Sequence, residues 1–212
     1  MTPARRNVLV CTLAALTLAG CGESVVELTP GLTAFTGARI IDGTGNAIDA
    51  GVLVVRDGRV EAVGAAESVS VPVGAEEIDL TGRTIMPGLI NAHGHVGATR
   101  GLESNPDLYT RENLLHQLDL YARYGITTVF SLGGDGQDGF DLRNEQDLSL
   151  DRARLFVAGP VVVGETAEEV ETIVDGVAGM GADIVKIRVD DNLGSTTKMP
   201  EEAWRAVIAR AH

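Results

Sequence analysis

The sequence predicts an α/β protein in which a small β-rich portion, residues 32–83, precedes a longer region, residues 84–212, of alternating strands and helices. Short β-type runs separated by turn dipeptides indicate the first portion. In the second, helical segments alternate with β-branched ones, which is typical of a parallel sheet because parallel strands need crossover connections. Two histidines separated by one glycine follow the first strand-like stretch of this second portion.

Residues 1–20 have the pattern of a signal peptide. Arg5 and Arg6 precede a short apolar run, Val8 to Leu18. The run falls short of the roughly 18–20 apolar residues that a spanning helix needs. We therefore exclude this segment from the fold.

The end of this segment, Leu18-Ala19-Gly20-Cys21, resembles a bacterial lipobox. The resemblance implies cleavage before Cys21, lipid attachment to Cys21, and a tether over residues 21–31. The mature chain is then expected outside the cytoplasm, lipid-anchored to the bacterial membrane, and in the periplasm or at the outer membrane if the cell is Gram-negative. An ordinary secretory signal cleaved nearby is the alternative.

Charge and cysteine content narrow the possible partners and ligands. A formal net charge of −13 argues against nucleic acid or an anionic membrane surface as a partner. Cys11 lies in the predicted leader and Cys21 would carry lipid, and the chain has no other cysteine. Any metal held by the rest of the chain must therefore have nitrogen and oxygen ligands.

The first portion is predicted to form a small antiparallel sheet. Strand-length runs cover 38–41, 51–56 and 60–63, and Arg56-Asp57-Gly58-Arg59 is typical of a tight hairpin. The segment from Asp79 to Arg83 is predicted to be the turn that leads into the second portion.

The second portion is predicted to contain further strands and helices in alternation. Apolar spacing and capping residues predict helices from Thr110 to Arg123, from Thr166 to about Met180, and from Pro200 onward. The polar loop from Gly133 to Asp151 is expected to hold a short helix near Leu142–Asp147. The predicted strands after the first are 126–132, 154–163 and 183–189.

The stretch from Thr84 to Gly97, TIMPGLINAHGHVG, is apolar up to Ile90 and ends in His93-Gly94-His95. On a strand, side chains two residues apart point the same way, so both imidazoles would project to one side. That arrangement suits two ligands of one metal ion, because neutral histidine is the commonest metal-binding side chain. The alternative is two polar residues in a strand-to-helix turn.

The string MPGLINAHGH resembles the signature of the amidohydrolase superfamily, and the segments before it resemble the small β-sandwich of that superfamily. The resemblance covers about Leu32 to His212. It implies a β-sandwich portion followed by the first half, about four β/α units, of a TIM-type (β/α)8 barrel, since a whole barrel takes about 250 residues. The alternative is a small four-stranded α/β protein.

Lys186, in the string GADIVKIRVDD, is predicted to share a strand face with Ile184 and Arg188. An inward lysine is costly unless it is neutralised or paired; the alternative is a lysine whose amine reaches out to water. The string resembles the superfamily branch that includes imidazolonepropionase relatives and prolidase-like dipeptidases; imidazolonepropionase proper lacks this lysine, so the resemblance favours the peptidase-like members. There a carboxylated lysine at this place bridges two metal ions, which implies the same role for Lys186 beside His93 and His95.

The resemblance implies a metal-dependent hydrolase that cleaves carbon–nitrogen bonds, in non-peptide or dipeptide amides, through a metal-activated water. One or two divalent ions are implied, with zinc the expected ion. The general-base Asp of the family is expected beyond residue 212, so the 212 residues alone are expected to be inactive. His116 and His212 are not expected to be ligands.

Two other functions stay open at this point. One is a non-catalytic metal-binding lipoprotein that uses only His93 and His95. The other is a lipoprotein that binds a solute without metal. For the hydrolase, the implied partner is a small molecule, and an amide, a dipeptide and a lactone are all open as substrates.

Overall fold

The computed structural model describes residues 27–147 and 151–212. The predicted signal peptide, Cys21 and the first residues of the predicted tether lie outside the described residues. The strands are β1 (Leu32–Ile41), β2 (Ala47–Arg56), β3 (Arg59–Ala65), β4 (Glu76–Asp79), β5 (Thr84–Ile85), β6 (Leu89–Gly94), β7 (Thr99–Arg100), β8 (Glu103–Ser104), β9 (Ile126–Ser131) and β10 (Arg154–Val157). The helices are α1 (Arg111–Arg123), α2 (Gln137–Asn144), α3 (Ala167–Gly179) and α4 (Glu201–Ala211).

The first sheet contains β1 to β5, in the order β3-β2-β1-β4, with β5 also paired to β1. The predicted hairpin joins β2 and β3, and Asp57 and Gly58 at its tip both have positive φ, as a two-residue hairpin turn requires. The antiparallel prediction was wrong in part, because β4 and β5 run parallel to β1. The connection over residues 66–75 lets the chain return to the other edge of β1 in the same direction.

The last residues of the predicted tether contact this first sheet. The Thr29 N–H donates to the Gly74 carbonyl at 2.7 Å, and the Asp57 N–H donates to the Gly31 carbonyl at 2.8 Å. Leu32, Ala34, Val52 and Val54 form the buried core beneath the sheet.

The second sheet is parallel, as the alternation of helices and strands predicts, and its order is β10-β9-β6. Helices α1 and α2 pack against the face that carries Val129. On the opposite face Phe130 and Phe156 stack across the strands, with ring centroids 4.6 Å apart. None of the helices in the described part of the chain has the length and apolar character needed to span a bilayer.

The stretch from Thr84 to Gly94 is divided between the two sheets. Thr84 and Ile85 pair with β1, whereas β6 begins only at Leu89. Pro87 lacks an N–H group and interrupts the ladder. Gly88 lies so close to the Thr127 side chain that an added Cβ would come within 2.0 Å of its Oγ1.

The predicted fourth strand, 183–189, was wrong as a regular strand. It is reduced to a single parallel bridge between Val162 and Ile187, and the third strand ends at Val157 instead of Val163. Gly159 has a positive φ and Pro160 has no N–H group, so the ladder stops there. The segment still lies beside residue 162, because the Val162 N–H donates to the Lys186 carbonyl at 2.8 Å.

The helices agree better with the prediction. Thr110 caps α1 by accepting from the Asn113 N–H, and Thr166 caps α3 by accepting from the Glu169 N–H. Helix α2 starts earlier than the expected position near 142–147, and it buries Phe140 and Leu142 against β10. Helices α3 and α4 pack together through a core cluster that includes Val170, Val174, Ala203 and Val207.

Candidate metal centre

His93 and His95 lie at the carboxyl end of β6. Their ring centroids are 5.7 Å apart with an interplanar angle of 55°. The β6–β9 register is irregular between Asn91 and Gly94, and the His93 N–H donates to the Asn91 side-chain oxygen at 3.1 Å. The two imidazoles, both on exposed residues, are therefore close neighbours at one end of the parallel sheet.

Lys186 reaches the same place from the segment that lies beside β10, at the edge of the sheet opposite to β6. Its Nζ lies 3.4 Å from His93 Nε2, although the two residues are far apart in the sequence. The parallel bridge at Ile187 sets the orientation of the Lys186 side chain. In an extended chain, the side chains of the residues before and after Ile187 point to the face opposite to that of Ile187. Val185 and Ile187 pack on the core between α3 and α4. Lys186 therefore points toward the histidines, as the predicted strand would have placed it.

His95 is held by the loop that follows β9. Its Nδ1 lies 3.2 Å from the Gly133 carbonyl oxygen. If Nδ1 carries the proton, this contact is a hydrogen bond and Nε2 keeps a free lone pair. Gly133 has φ +107°, and a Cβ there would come within 2.3 Å of Val161 Cγ2, so glycine is required for this approach.

A cavity of about 680 Å³ opens beside these groups. Its lining includes His95, Lys186, Arg188, Asp190 and Lys198. Three of these side chains are cationic and one is anionic, which contrasts with the acidic balance of the whole chain. The Arg188 Nε is buried and has no hydrogen-bond partner within the described residues.

The donor set is small. Across residues 27–147 and 151–212, no three His, Cys, Asp or Glu side chains gather closely enough to hold a metal ion. Two imidazoles and one amine converge instead. A protonated amine has no lone pair to offer, so Lys186 fits a metal centre only as a neutral amine or as an anionic derivative such as a carbamate. With that change, the three side chains fit a partial metal site with nitrogen and oxygen ligands.

The other histidines lie elsewhere. His116 is exposed in the middle of α1 and lines a separate pocket with Gln117 and Tyr121. His212 follows α4, and its N–H donates to the Ile208 carbonyl. Asp190 accepts from the Asn192 N–H at 2.8 Å and also lines the cavity.

Sequence analysis missed Asp135, which is only 4% exposed. One of its carboxylate oxygens accepts from the Ala158 N–H at 3.0 Å and from the Gly159 N–H at 3.1 Å. Burial raises the pKa of Asp135, and contacts with the Ser131 hydroxyl and nearby backbone N–H groups oppose that rise. Its position in a polar loop gave no sign of burial.

Comparison with known proteins gives the following similarities. No family model matches the chain. Over 152 residues it is 32% identical to 5-methylthioadenosine/S-adenosylhomocysteine deaminase from Halobacterium salinarum, a match that covers 68% of this chain and 30% of the deaminase.

Among solved structures, a candidate prolidase from Bifidobacterium longum matches with a TM-score of 0.71 and 28% identity, covering 88% of this chain and 47% of the other. An Xaa-Pro dipeptidase matches with a TM-score of 0.72 and 20% identity, covering 85% and 54%. The chain thus spans about half the length of these solved structures.

These neighbours are hydrolases of the amidohydrolase superfamily. The similarity extends over the mixed α/β fold of this chain, which has sheets and, within the described residues, four α-helices. The similarity supports a hydrolase by family, over the half of the neighbours' length that the chain covers.

Proposed function

We propose that this chain is part of a metal-dependent amidohydrolase that cleaves carbon–nitrogen bonds in small amides. The observation that carries the proposal is the convergence of His93, His95 and Lys186 at one end of a parallel sheet. Active sites of barrel enzymes are built at the carboxyl ends of the strands. The prolidase-like similarity favours the branch in which a lysine completes the metal site.

His93 and His95 would hold one divalent ion, and Lys186 would bridge it to a second, with zinc the ion we propose. When bound, such ions activate a water molecule and polarise the scissile carbonyl. The chain's own side chains hold the ions and shape the cavity beside them.

Lys186 would serve as a carbamate. The ammonium group first loses one proton; the neutral Nζ then forms a bond to the carbon of CO2 and loses a second proton, so a cationic group becomes an anionic oxygen ligand. The nearby His93 Nε2 is within reach of the converted side chain.

The cavity favours a substrate that carries a carboxylate, such as a dipeptide, over an uncharged amide or a lactone. Arg188 and Lys198 line it, and both side chains are cationic. A guanidinium binds a carboxylate through paired hydrogen bonds, and Arg188 is free to do so within the described residues.

A further part of the proposal concerns a residue outside the described ranges. We propose that Cys21 carries the lipid that anchors the protein outside the cytoplasm, in the periplasm or at the outer membrane of a Gram-negative cell.

Hydrolysis of a panel of Xaa-Pro dipeptides, N-acyl amides and lactones tests this function. The panel is given to the 212-residue chain and to the whole polypeptide that its gene encodes. We expect zinc-dependent dipeptide cleavage by the whole polypeptide, and its loss in His93→Asn. Cleavage that survives both His93→Asn and removal of metal would refute the proposal. Stoichiometric metal binding without cleavage by the whole polypeptide would favour the non-catalytic metal-binding lipoprotein.

A further inference from the structure

A buried carboxylate joins the loops that follow β9 and β10. Asp135 Oδ2 accepts from the N–H groups of Ala158 and Gly159. The Gly134 N–H in turn donates to the Gly159 carbonyl at 3.1 Å. Two adjacent segments of backbone are therefore held together by three hydrogen bonds in which Asp135 supplies the only side chain.

The loop that Asp135 holds is intrinsically loose. Gly133 and Gly134 both have positive φ, at +107° and +81°, and glycine loses more conformational freedom on ordering than other residues. Without an anchor this pair would sample many backbone conformations. The Asp135 carboxylate and the Gly134–Gly159 hydrogen bond limit that freedom.

The Gly133 carbonyl is the group that this anchoring places. Its oxygen lies 3.2 Å from His95 Nδ1. A carbonyl can only accept, so it stabilises the imidazole that carries its proton on Nδ1. That tautomer leaves the Nε2 lone pair free to bind a metal ion.

We propose that Asp135 is a positioning residue that, by holding the Gly133 carbonyl in place, keeps the proton of neutral His95 on Nδ1 and its lone pair on Nε2. This role depends on the proposed function in one respect, which is that His95 is a ligand of a metal ion. The connection from Asp135 to His95 runs through the backbone of Gly133, Gly134 and Gly159, which have no side chains that could bind a metal ion or react.

Carboxylate chemistry suits this task. An ionised or neutral carboxyl can accept two N–H groups on one oxygen, and an asparagine side-chain oxygen can do the same. Alanine cannot accept at all, and a serine hydroxyl is too short to replace both contacts. The series of substitutions at Asp135 therefore separates loss of the acceptor from loss of the charge.

The test uses the metal-free chain with nitrogen-15 in its imidazoles, and long-range proton–nitrogen NMR reports which ring nitrogen of His95 carries hydrogen. His95→Gln assigns the signals. We expect the Nδ1–H form in the wild type and in Asp135→Asn, and a mixture of both forms in Asp135→Ala and Asp135→Ser. Asp141→Ala removes an exposed carboxylate of α2 and should behave as the wild type.

Zinc titration of the same variants gives a second readout. Loss of a group that orients a metal-binding histidine weakens metal binding by about 10- to 100-fold, so Asp135→Ala should lose affinity by that factor and Asp135→Asn should not. A wild-type His95 with its proton on Nε2, or a folded Asp135→Ala with the wild-type tautomer, would overturn the inference. If the tautomers behave as expected but zinc does not bind, the proposed function fails while the positioning role stands.

Discussion

At the scale of single residues, Gly88 shows how a close contact divides a stretch that the sequence presents as continuous. Its backbone φ lies outside the positive region, so alanine is permitted there by the backbone. A Cβ would nevertheless come within 2.0 Å of Thr127 Oγ1 and 2.3 Å of Thr127 Cγ2. The close approach of residue 88 to β9 depends on the missing side chain.

We predict that Gly88→Ala lowers the free energy of unfolding by about 1–3 kcal/mol, because the overlap with Thr127 forces the backbone of β6 away from β9. Gly176→Ala is the matched control. Gly176 lies in α3 with nothing within 4 Å of its Cβ position, so alanine should raise the free energy of unfolding by about 0.5–1 kcal/mol. Urea unfolding followed by circular dichroism measures both. Equal effects of the two substitutions would show that the contact at Gly88 is not restrictive.

The buried carboxyl of Asp135 makes the free energy of unfolding depend on pH, and the direction of that dependence can be stated. Burial raises the pKa of its carboxyl in the folded protein above the value of 3.8 for an exposed Asp. Between 3.8 and the raised value the folded state therefore binds more protons than the unfolded state, and stability falls as pH rises through this window. Burial raises the pKa of the Tyr109 hydroxyl, and the charges of Asp135 and Asp138 add to that rise.

Asp135→Asn lacks this titration. We expect the free energy of unfolding of the wild type, minus that of Asp135→Asn, to decrease as pH rises above about 4. Other carboxylates, such as Asp175 and Glu145, have lowered pKa values through their arginine partners, but they contribute equally to both proteins and cancel in the difference. A difference that stays constant or increases with pH would contradict the burial of an ionisable Asp135.

At the scale of elements, helices were predictable and some strands were not. Thr110 and Thr166 mark the starts of α1 and α3 because a cap acts on residues within one turn. The parallel pairing of β4 and β5 with β1 depends on partners distant in the sequence. The 183–189 segment has the composition of a strand, but the break at Gly159 and Pro160 in its neighbour limits it to one bridge.

The same division applies to the site. The spacing of His93 and His95 is a local pattern, so the sequence could propose both. Lys186 was distinguished from an ordinary surface lysine only by the family resemblance, and the structure places its Nζ beside His93. Asp135 could not be found, because its partners are backbone N–H groups more than twenty positions away and leave no trace in side-chain pattern.

Helix α1 offers a test of element packing. Leu118 is 1% exposed in the core cluster that includes Leu114 and Val129, whereas Leu120 on the same helix is 38% exposed. We predict that Leu118→Ala lowers the free energy of unfolding by about 2–5 kcal/mol through loss of burial and the cavity left behind. Leu120→Ala should cost less than about 1 kcal/mol. Chemical denaturation of both variants checks the pair, and comparable losses would contradict the assigned face of α1.

At the scale of the whole molecule, two sheets meet at Thr84–Leu89 and the candidate site lies at the carboxyl end of the second. One face of that sheet is covered by α1 and α2, and the other presents Phe130 and Phe156. The cationic cavity lies at the same end as the histidines. The two imidazoles, the Lys186 amine and the cationic side chains of Arg188 and Lys198 therefore lie at the same end of the second sheet.

Isothermal titration with zinc tests whether His93, His95 and Lys186 form the proposed metal site. The chain is titrated with zinc, with and without bicarbonate as a source of CO2, beside His93→Asn, Lys186→Gln and His116→Asn. We predict that the wild type and His116→Asn each bind at least one equivalent of zinc, and that bicarbonate raises their affinity for zinc. We also predict no such binding in His93→Asn and no effect of bicarbonate in Lys186→Gln. Equal zinc binding by His93→Asn and His116→Asn would contradict the site.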